Sequence, residues 1–309
     1  DLLQKSNLFV IPLDTEGEWF RFHNVFQDIL RKQLERRAEP ADIAELHGRA
    51  SVWFEDQGLV EEAISHAIAA GDPDRAADIV EQHRIEAFDA DEWPSVERWL
   101  ELLPDEIRRQ RPALILCDGW TAYNRLQIDE FPSVIERCRA AAGNLDLDDS
   151  IQAELEYFEG HLDYWMGDAE GSRQKIEASL EKVGNRLSHI EGEMELTLAL
   201  ARCLAGDCDG AIQHLEQRIR ETPPSAPMYE SKLRGSLVIA HLLEGDLAHV
   251  LAEGRPLRAV TTSRNYRTHT AWADYLAGCA HLHLLQLEAA ALHFHRVVEN
   301  RHVFDIRAA

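Results

Sequence analysis

The residues of this chain whose types and spacing could do chemistry are suited mainly to binding. Tyr157, His161, Tyr164 and Trp165 stand at i, i+4, i+7 and i+8, which places them in one stripe of a helix. Rings with polar edges suit sugars, purines or peptide side chains, and the same spacing also describes an ordinary packed stripe. Trp120 with Tyr123, and Trp272 with Tyr275, are i, i+3 pairs that could extend a groove lined in this way. His281, His283, His293 and His295 invite a metal reading, but residues two apart on a helix point about 200° apart, so neither H-x-H pair can share one metal face. Only cross-pairing between two helices leaves that reading open, and we assign no metal site. The stretch GNLDLDDS, residues 143 to 150, has acidic spacing reminiscent of a calcium loop; it lacks the glycine and the final glutamate of such a loop, and reads as a turn with a helix cap. No Ser/His/Asp triad, carboxylate pair or glycine-rich loop stands on a scaffold that would activate it, so we assign no catalytic residue and read the chain as a non-enzyme.

The elements that must position these side chains are helices. Near the N-terminus, WFRFHNVFQDIL (19 to 30) turns a corner: Trp19 to Phe22 alternate as a strand does, whereas Val25, Phe26, Ile29 and Leu30 recur at helical spacing, with His23 between them. The run LFVIPL (8 to 13), a turn at Asp14 to Gly17 and Trp19 to Phe22 predict a hairpin, and Leu2 to Ser6 read as the tail of a helix. Helix, hairpin and helix in about 37 residues is the closing half of a winged-helix unit. From Ala41 onward the pattern is helix after helix. YWMGDAEGSRQKIEASLE, CLAGDCDGAIQHLEQRI and LLEGDLAHVLAEG each carry a helix end, a Gly-Asp turn and a second helix. Their turn glycines are Gly167, Gly206 and Gly245, so the period is 206 − 167 = 245 − 206 = 39. A fixed period of this size is the mark of an α-solenoid. Weaker copies occur at LQIDEF (126 to 131) and at LLQLEAAALHF (284 to 294), where Gln286 is read at the glycine position. Upstream, Gly58 and Gly71 imply shorter helices, and Trp53, Phe54, Leu59, Ala63 and Ile64 are expected to pack across the turn at Gly58 as a stiff connector.

Composition narrows the partners. With 55 acidic against 32 basic side chains the net charge is −23, a surface that repels phosphate backbones, so no nucleic acid is expected to bind through this chain. Residues 1 to 37 carry six acids and six bases, so all of the excess lies beyond Ala38 and marks a boundary there. The basic cluster Arg31, Lys32, Arg36 and Arg37 closes a predicted helix, where cations complement the dipole. No segment is long and apolar enough to span a membrane and no signal segment is evident, which makes the cytoplasm the expected location. The five cysteines, an odd number set beside Ala and Leu, are expected as reduced, small apolar residues, with Cys203 and Cys208 as a metal or redox pair the lesser reading.

Three stretches carry a family likeness. WFRFHNVFQDILRKQL, LHGRASVWFEDQGLVEEAISHAIAAGDPDRAADIVEQ and WLELLPDEIRRQRPALILCDGW resemble the MalT-like branch of the LuxR-type ATP-dependent regulators, which belong to the STAND NTPases. The likeness is specific over 19 to 120, and beyond that the repeats are generic tetratricopeptide-like helices. It implies an all-α architecture: an α-solenoid of tetratricopeptide-like hairpins preceded by a partial winged-helix unit with one β-hairpin. Residues 1–38 are expected as the C-terminal part of the winged helix, 39–110 as connecting helices and 111–309 as the sensor solenoid. With no G-x-x-x-x-G-K-[ST] loop in the chain, we expect a piece of a longer regulator, the rim of its switch module with part of its sensor. FHNVFQDIL resembles the winged-helix motif whose histidine meets the β-phosphate of ADP in related proteins, which makes His23 the nucleotide-sensing residue of the parent protein. No cofactor is then expected in this piece, and ATP or ADP in the parent. The implied function is signal sensing: an inducer, small molecule or protein, bound on the solenoid by Tyr157, His161, Tyr164, Trp165, Trp120 and Tyr123 and relayed to the rest of the regulator. The alternative is a scaffold for protein partners without a small-molecule pocket.

Overall fold

In the computed structural model, residues 10–12, 20–143, 147–184 and 186–299 are described. The hairpin pairs β1 (Val10–Pro12) antiparallel with β2 (Phe20–Phe22), Val10 opposite Phe22 and Pro12 opposite Phe20. The expected helix at Leu2 to Ser6 and the turn at 14 to 17 lie outside the described residues. Everything that follows the hairpin is helical among the described residues, from α1 (Asn24–Arg37) through α2 (Pro40–Asp56), α3 (Val60–Ala69) and α4 (Pro73–Asp89). The chain divides by compactness into residues 1–76 and 77–309. The division therefore falls inside α4.

In the first unit, α2 and α3 pack as a hairpin about Gly58, whose φ of 73° is open to glycine without strain. Ser51 Oγ donates to the Ala63 carbonyl at 2.8 Å, the Phe54 ring stacks on His66, and Ala63 and Ile64 are buried. The connector expected there needs one correction. Trp53 is 48% exposed, because its position on α2 carries it away from the α3 contact made by Phe54, and it meets Phe54 edge-on. Removing its ring would therefore not cost what a buried tryptophan does.

The second unit is a run of helical hairpins. After α5 (Trp93–Leu102) and α6 (Asp105–Gln110), the inner helices are α7 (Pro112–Asn124), α9 (Asp149–Trp165), α11 (His189–Leu204), α13 (Pro227–Glu244) and α15 (Arg267–His283). Each is followed by its mate, α8 (Phe131–Ala142), α10 (Ala169–Val183), α12 (Cys208–Glu221), α14 (Leu247–Ser263) and α16 (Leu287–Glu299). The Gly-Asp turn works by division of labour. The glycine takes the left-handed conformation that ends one helix, and the aspartate caps the next: Asp168 accepts from Gly171 N at 2.9 Å, Asp207 from Gly210 N at 3.1 Å and Asp246 from His249 N at 3.1 Å. In the last hairpin the left-handed residue is Leu285, at φ 58°, and not Gln286; Leu126 holds the same conformation earlier. Cys203 and Cys208, expected as free thiols, are joined in a disulfide across the α11–α12 turn, because the reversal at Gly206 brings their Cα atoms to 4.2 Å.

Aromatic packing fills the first hairpins. Trp120 and Tyr157 are wholly buried and stack at 4.9 Å with an interplanar angle of 15°, flanked by Phe131 and Phe158. Below them Arg84 donates both guanidinium nitrogens to Glu154, at 2.7 and 2.5 Å, and Trp120 Nε1 donates to the same carboxylate at 2.8 Å. The pairing and the hydrogen bonds offset the desolvation cost that would otherwise disfavour a buried charge.

Candidate functional site

A cavity of ≈ 220 Å³ opens on the inner helices of the second unit, lined from α7, α9, α11, α13 and α15 in turn. Tyr123, His161 and Trp165 stand on one side, Glu193 and Lys232 in the middle, and His269 with Trp272 on the far side. Its volume lies just under the usual range for a drug-sized ligand and suits a small molecule or a few side chains.

His161 organises the near wall. Its ring is buried without a charged partner, which pushes its pKa down to about 4 and keeps it neutral. Trp165 Nε1 donates to His161 Nε2 at 3.0 Å, so Nε2 carries the lone pair and the proton sits on Nδ1, which faces Thr197 Oγ1 at 2.9 Å. That chain of bonds fixes the Trp165 indole, 59% exposed, at the rim of the cavity. The aromatic stripe is thus divided. Tyr157 and Trp120 belong to the core and do not line the cavity, because a step of one turn along α9 carries the side chain from the packed face to the open one. Tyr164 is half-buried and also off the lining, as is Tyr275, whereas Tyr123 and Trp272 reach it.

The middle of the cavity is polar in an apolar frame. Glu193 is buried, pairs with Lys232, and accepts from Tyr123 Oη at 2.6 Å. Burial, then the adjacent Glu193 charge, holds the Tyr123 phenol well above its ordinary pKa, so it stays a donor. His269 is neutral for the same kind of reason: burial first, then the Lys232 ammonium, pushes its pKa well down. Its Nδ1 is buried with no hydrogen-bond partner among the described residues.

The α4–α5 turn fixes the far wall. Asp91, at φ 61°, accepts from the backbone N–H of Thr268 at 2.8 Å across 177 residues, and Asp89 accepts from His189 N at 2.6 Å across 100. Two carboxylates from one turn thereby cap the first turns of α11 and α15, the helices that supply Glu193 and His269. Burial raises both pKa values, that of Asp91 to about 6.

The other candidates sort as follows. His23 precedes α1 and its carbonyl accepts from Phe26 and Gln27 N at 2.9 Å, while its exposed ring makes no cap bond. His281 and His293 do stack across α15 and α16 at 5.3 Å, but each has an Nδ1 already bonded, to Gln286 and to Asp274. Asp148 caps α9 through Ser150 and Ile151 N, and 144–146 lie outside the described residues. Sequence reasoning missed Glu193, Lys232 and His269. The signal was present: Glu154, Glu193 and Lys232 follow one another at the 39-residue period.

Residues 1–42 match the family described as MalT winged helix domain. Over these residues the chain is similar to that domain. Over 152 residues the chain is 34% identical to the serine/threonine-protein kinase PknK of Mycobacterium tuberculosis, covering 49% of this chain and 14% of PknK. It is 32% identical over 156 residues to the HTH-type transcriptional regulator MalT of Yersinia enterocolitica, covering 50% of this chain and 17% of MalT. The matched residues therefore span only 14 to 17% of the length of these two relatives. A solved Rap protein, in complex with competence and sporulation factor, superimposes with a TM-score of 0.54 at 11% identity over 91% of this chain and 77% of that one. At that identity the likeness is one of fold alone, a tetratricopeptide-like array. No helix among the described residues is long and apolar enough to cross a membrane.

Proposed function

We propose that this chain is the sensing region of a MalT-like, LuxR-family transcription regulator, and that an inducer occupies the cavity between α9 and α15. The observation that carries the reading is the cavity's construction: a neutral His161 holding Trp165 at the rim and a buried Glu193–Lys232 pair, both within an apolar wall. Such a site offers ring surface for stacking and a few directed polar groups for orientation. Its lining carries one acid and one base, so the ligand class is neutral or zwitterionic, a small molecule or the end of a peptide. A scaffold for extended partners needs no such cavity and is the weaker reading.

Occupancy is relayed, in this proposal, to the winged helix and to nucleotide- and DNA-binding modules of the parent regulator. His23 meets the phosphate of ADP there, its exposed ring at a helix start adding a donor where anions are already favoured. The non-catalytic reading belongs to the same proposal, since PknK is named a kinase and the match takes in 14% of it. The test is a thermal-shift and calorimetric screen of sugars, nucleotides, amino acids and short peptides against wild type, Trp165→Ala and Trp272→Ala. We expect one class to raise the melting midpoint of the wild type and to lose at least tenfold in affinity in both variants, whose ligand-free midpoints stay near the wild type. Binding indifferent to both substitutions would sink the assignment of this cavity.

A further inference from the structure

The turn between α13 and α14 carries two histidines that its sister turns lack. In the 39-residue register His241 stands where Arg202 and Asp163 stand, and His249 where Gly210 and Gly171 stand, whereas Asp246 repeats Asp207 and Asp168. What the turn itself needs is the aspartate. At the two sister positions a glycine lies so close to the capping carboxylate that a Cβ would come within 2.4 Å of an oxygen of Asp168 or Asp207. A histidine at 249 is therefore no requirement of the fold.

The structure puts that histidine to use. One carboxylate oxygen of Asp246 caps the backbone N–H of His249 at 3.1 Å, and the other lies 2.6 Å from His249 Nδ1. The His249 ring stacks on His241 at 5.0 Å, and His241 Nδ1 is buried with no hydrogen-bond partner among the described residues. One ligand atom from each of the three residues can be chosen so that all lie within 4.8 Å of one another, and no other group of three His, Cys, Asp or Glu does so among the described residues. Glu216 and Glu253 are near enough to act electrostatically on His241.

We propose that His241, Asp246 and His249 form a binding site for one divalent transition cation of the zinc class. Two imidazoles and one carboxylate are a donor set for zinc, cobalt or nickel and a poor one for magnesium or calcium, which take oxygen ligands. A tetrahedral zinc ion holds its donors ~3.4 Å apart, given metal–ligand bonds of about 2.0 to 2.1 Å. The contraction required is at most about 1.4 Å, from 4.8 Å to ~3.4 Å, and His249, 61% exposed, has the freedom to supply it. Asp246 needs no movement of its backbone: the oxygen on His249 Nδ1 becomes the ligand as that proton leaves, and the other keeps the cap, orienting the carboxylate from behind. Glu216 and Glu253 add negative charge around the cation, and water completes its shell. The ion would tie the last turn of α13 to the first turn of α14.

The experiment is calorimetric titration of ZnCl₂ into the chelator-stripped full chain, with His249→Ala, Asp246→Asn and, as a control for the chain's other histidines, His281→Ala. We expect one strong site per chain, weakened at least tenfold in His249→Ala and in Asp246→Asn and unchanged in His281→Ala. Circular-dichroism melts without metal confirm that the variants are folded; His249 is exposed and the Asn amide oxygen retains the cap, so at least one of the two remains folded. Absence of a stoichiometric site, its persistence in a folded His249→Ala or Asp246→Asn, or its equal loss in His281→Ala would overturn the assignment.

Discussion

Asp91→Asn should stabilise the second unit at neutral pH and leave it unchanged in acid. Asp91 caps α15 from the α4–α5 turn, and burial, the largest influence on it, raises its pKa from 3.8 to about 6 in spite of the bond from Thr268 N and the Lys232 ammonium. A folded pKa above the unfolded one means that the native state holds the proton more tightly. Between pH 3.8 and about 6 the native state binds more protons than the unfolded state, so this group's contribution to stability falls as pH rises through that window and is flat above it. A shift of about two units corresponds to about 3 kcal/mol at 1.36 kcal/mol per unit. The side chain keeps some contact with solvent, so that figure is a ceiling and ~1–2 kcal/mol is the expected size. Asparagine mimics the protonated acid: its amide oxygen can accept from Thr268 N, and of the ordinary residues it is among those that best tolerate the φ of 61° found here. Urea unfolding followed by tryptophan fluorescence at pH 4.5, 6 and 7.5 gives the difference between the two proteins at each pH. Taking that difference removes the opposing effect of His161, whose folded pKa of about 4 makes stability fall as pH drops below 6.5. The expected gain is ~1–2 kcal/mol at pH 7.5 and about a third of that at pH 4.5, which already lies above the unfolded pKa of 3.8. A loss at pH 7.5, or a gain of the same size at every pH, would show that the ionised carboxylate is not the penalised species.

Gly119→Ala should lose about 1–3 kcal/mol in the same assay, because a Cβ there would sit 2.8 Å from Phe158 Cζ and 3.1 Å from Val134 Cγ1, both on wholly buried side chains with nowhere to retreat; a neutral result would mean that α7 and α9 can part without penalty. Leu285→Gly should gain ~0.5–1 kcal/mol, since the leucine is 81% exposed and occupies a left-handed position at φ 58° that glycine holds in the sister turns, and the relief of that strain exceeds the added chain entropy of glycine; a loss would show that the exposed side chain makes a contact of consequence.

The fold was legible because its signal is periodic and chemically blunt. Gly167, Gly206 and Gly245 announce a left-handed residue after every second helix, and the structure places one at each. Where glycine gave way to leucine the same conformation persisted at 126 and 285, but no residue type advertised it, and the reading slipped by one position to Gln286. The site was legible only in part, for a reason of angle. Along α9, Tyr157, His161 and Trp165 step by four residues, which turns each side chain by about 40°, and over two steps the stripe passes from core to rim. A count of spacings sees one stripe, and only the positions of the neighbouring helices decide where along it burial ends. Trp120 stacks on Tyr157 and closes that end, whereas Trp165 meets Tyr164 and His161 of its own helix edge-on and stays at the cavity.

The missed residues show how a repeat can be read further than its glycines. Position 154 recurs at 193 and 232, and the chain writes Glu, Glu and Lys there. On the inner helices of successive hairpins, equal register means the same face, so neighbours in this series come side by side. Glu154 is answered from outside the series by Arg84, while Glu193 is answered from within it by Lys232. A charge reversal at one register position therefore predicts an inner-face ion pair before any coordinates exist. The same comparison at 163, 202 and 241, and at 171, 210 and 249, isolates the two histidines of the α13–α14 turn as departures that the turn does not need. In an array whose repeats share one scaffold, what the scaffold requires recurs, and a residue that breaks the recurrence while keeping the fold is where a binding function is most economically sought.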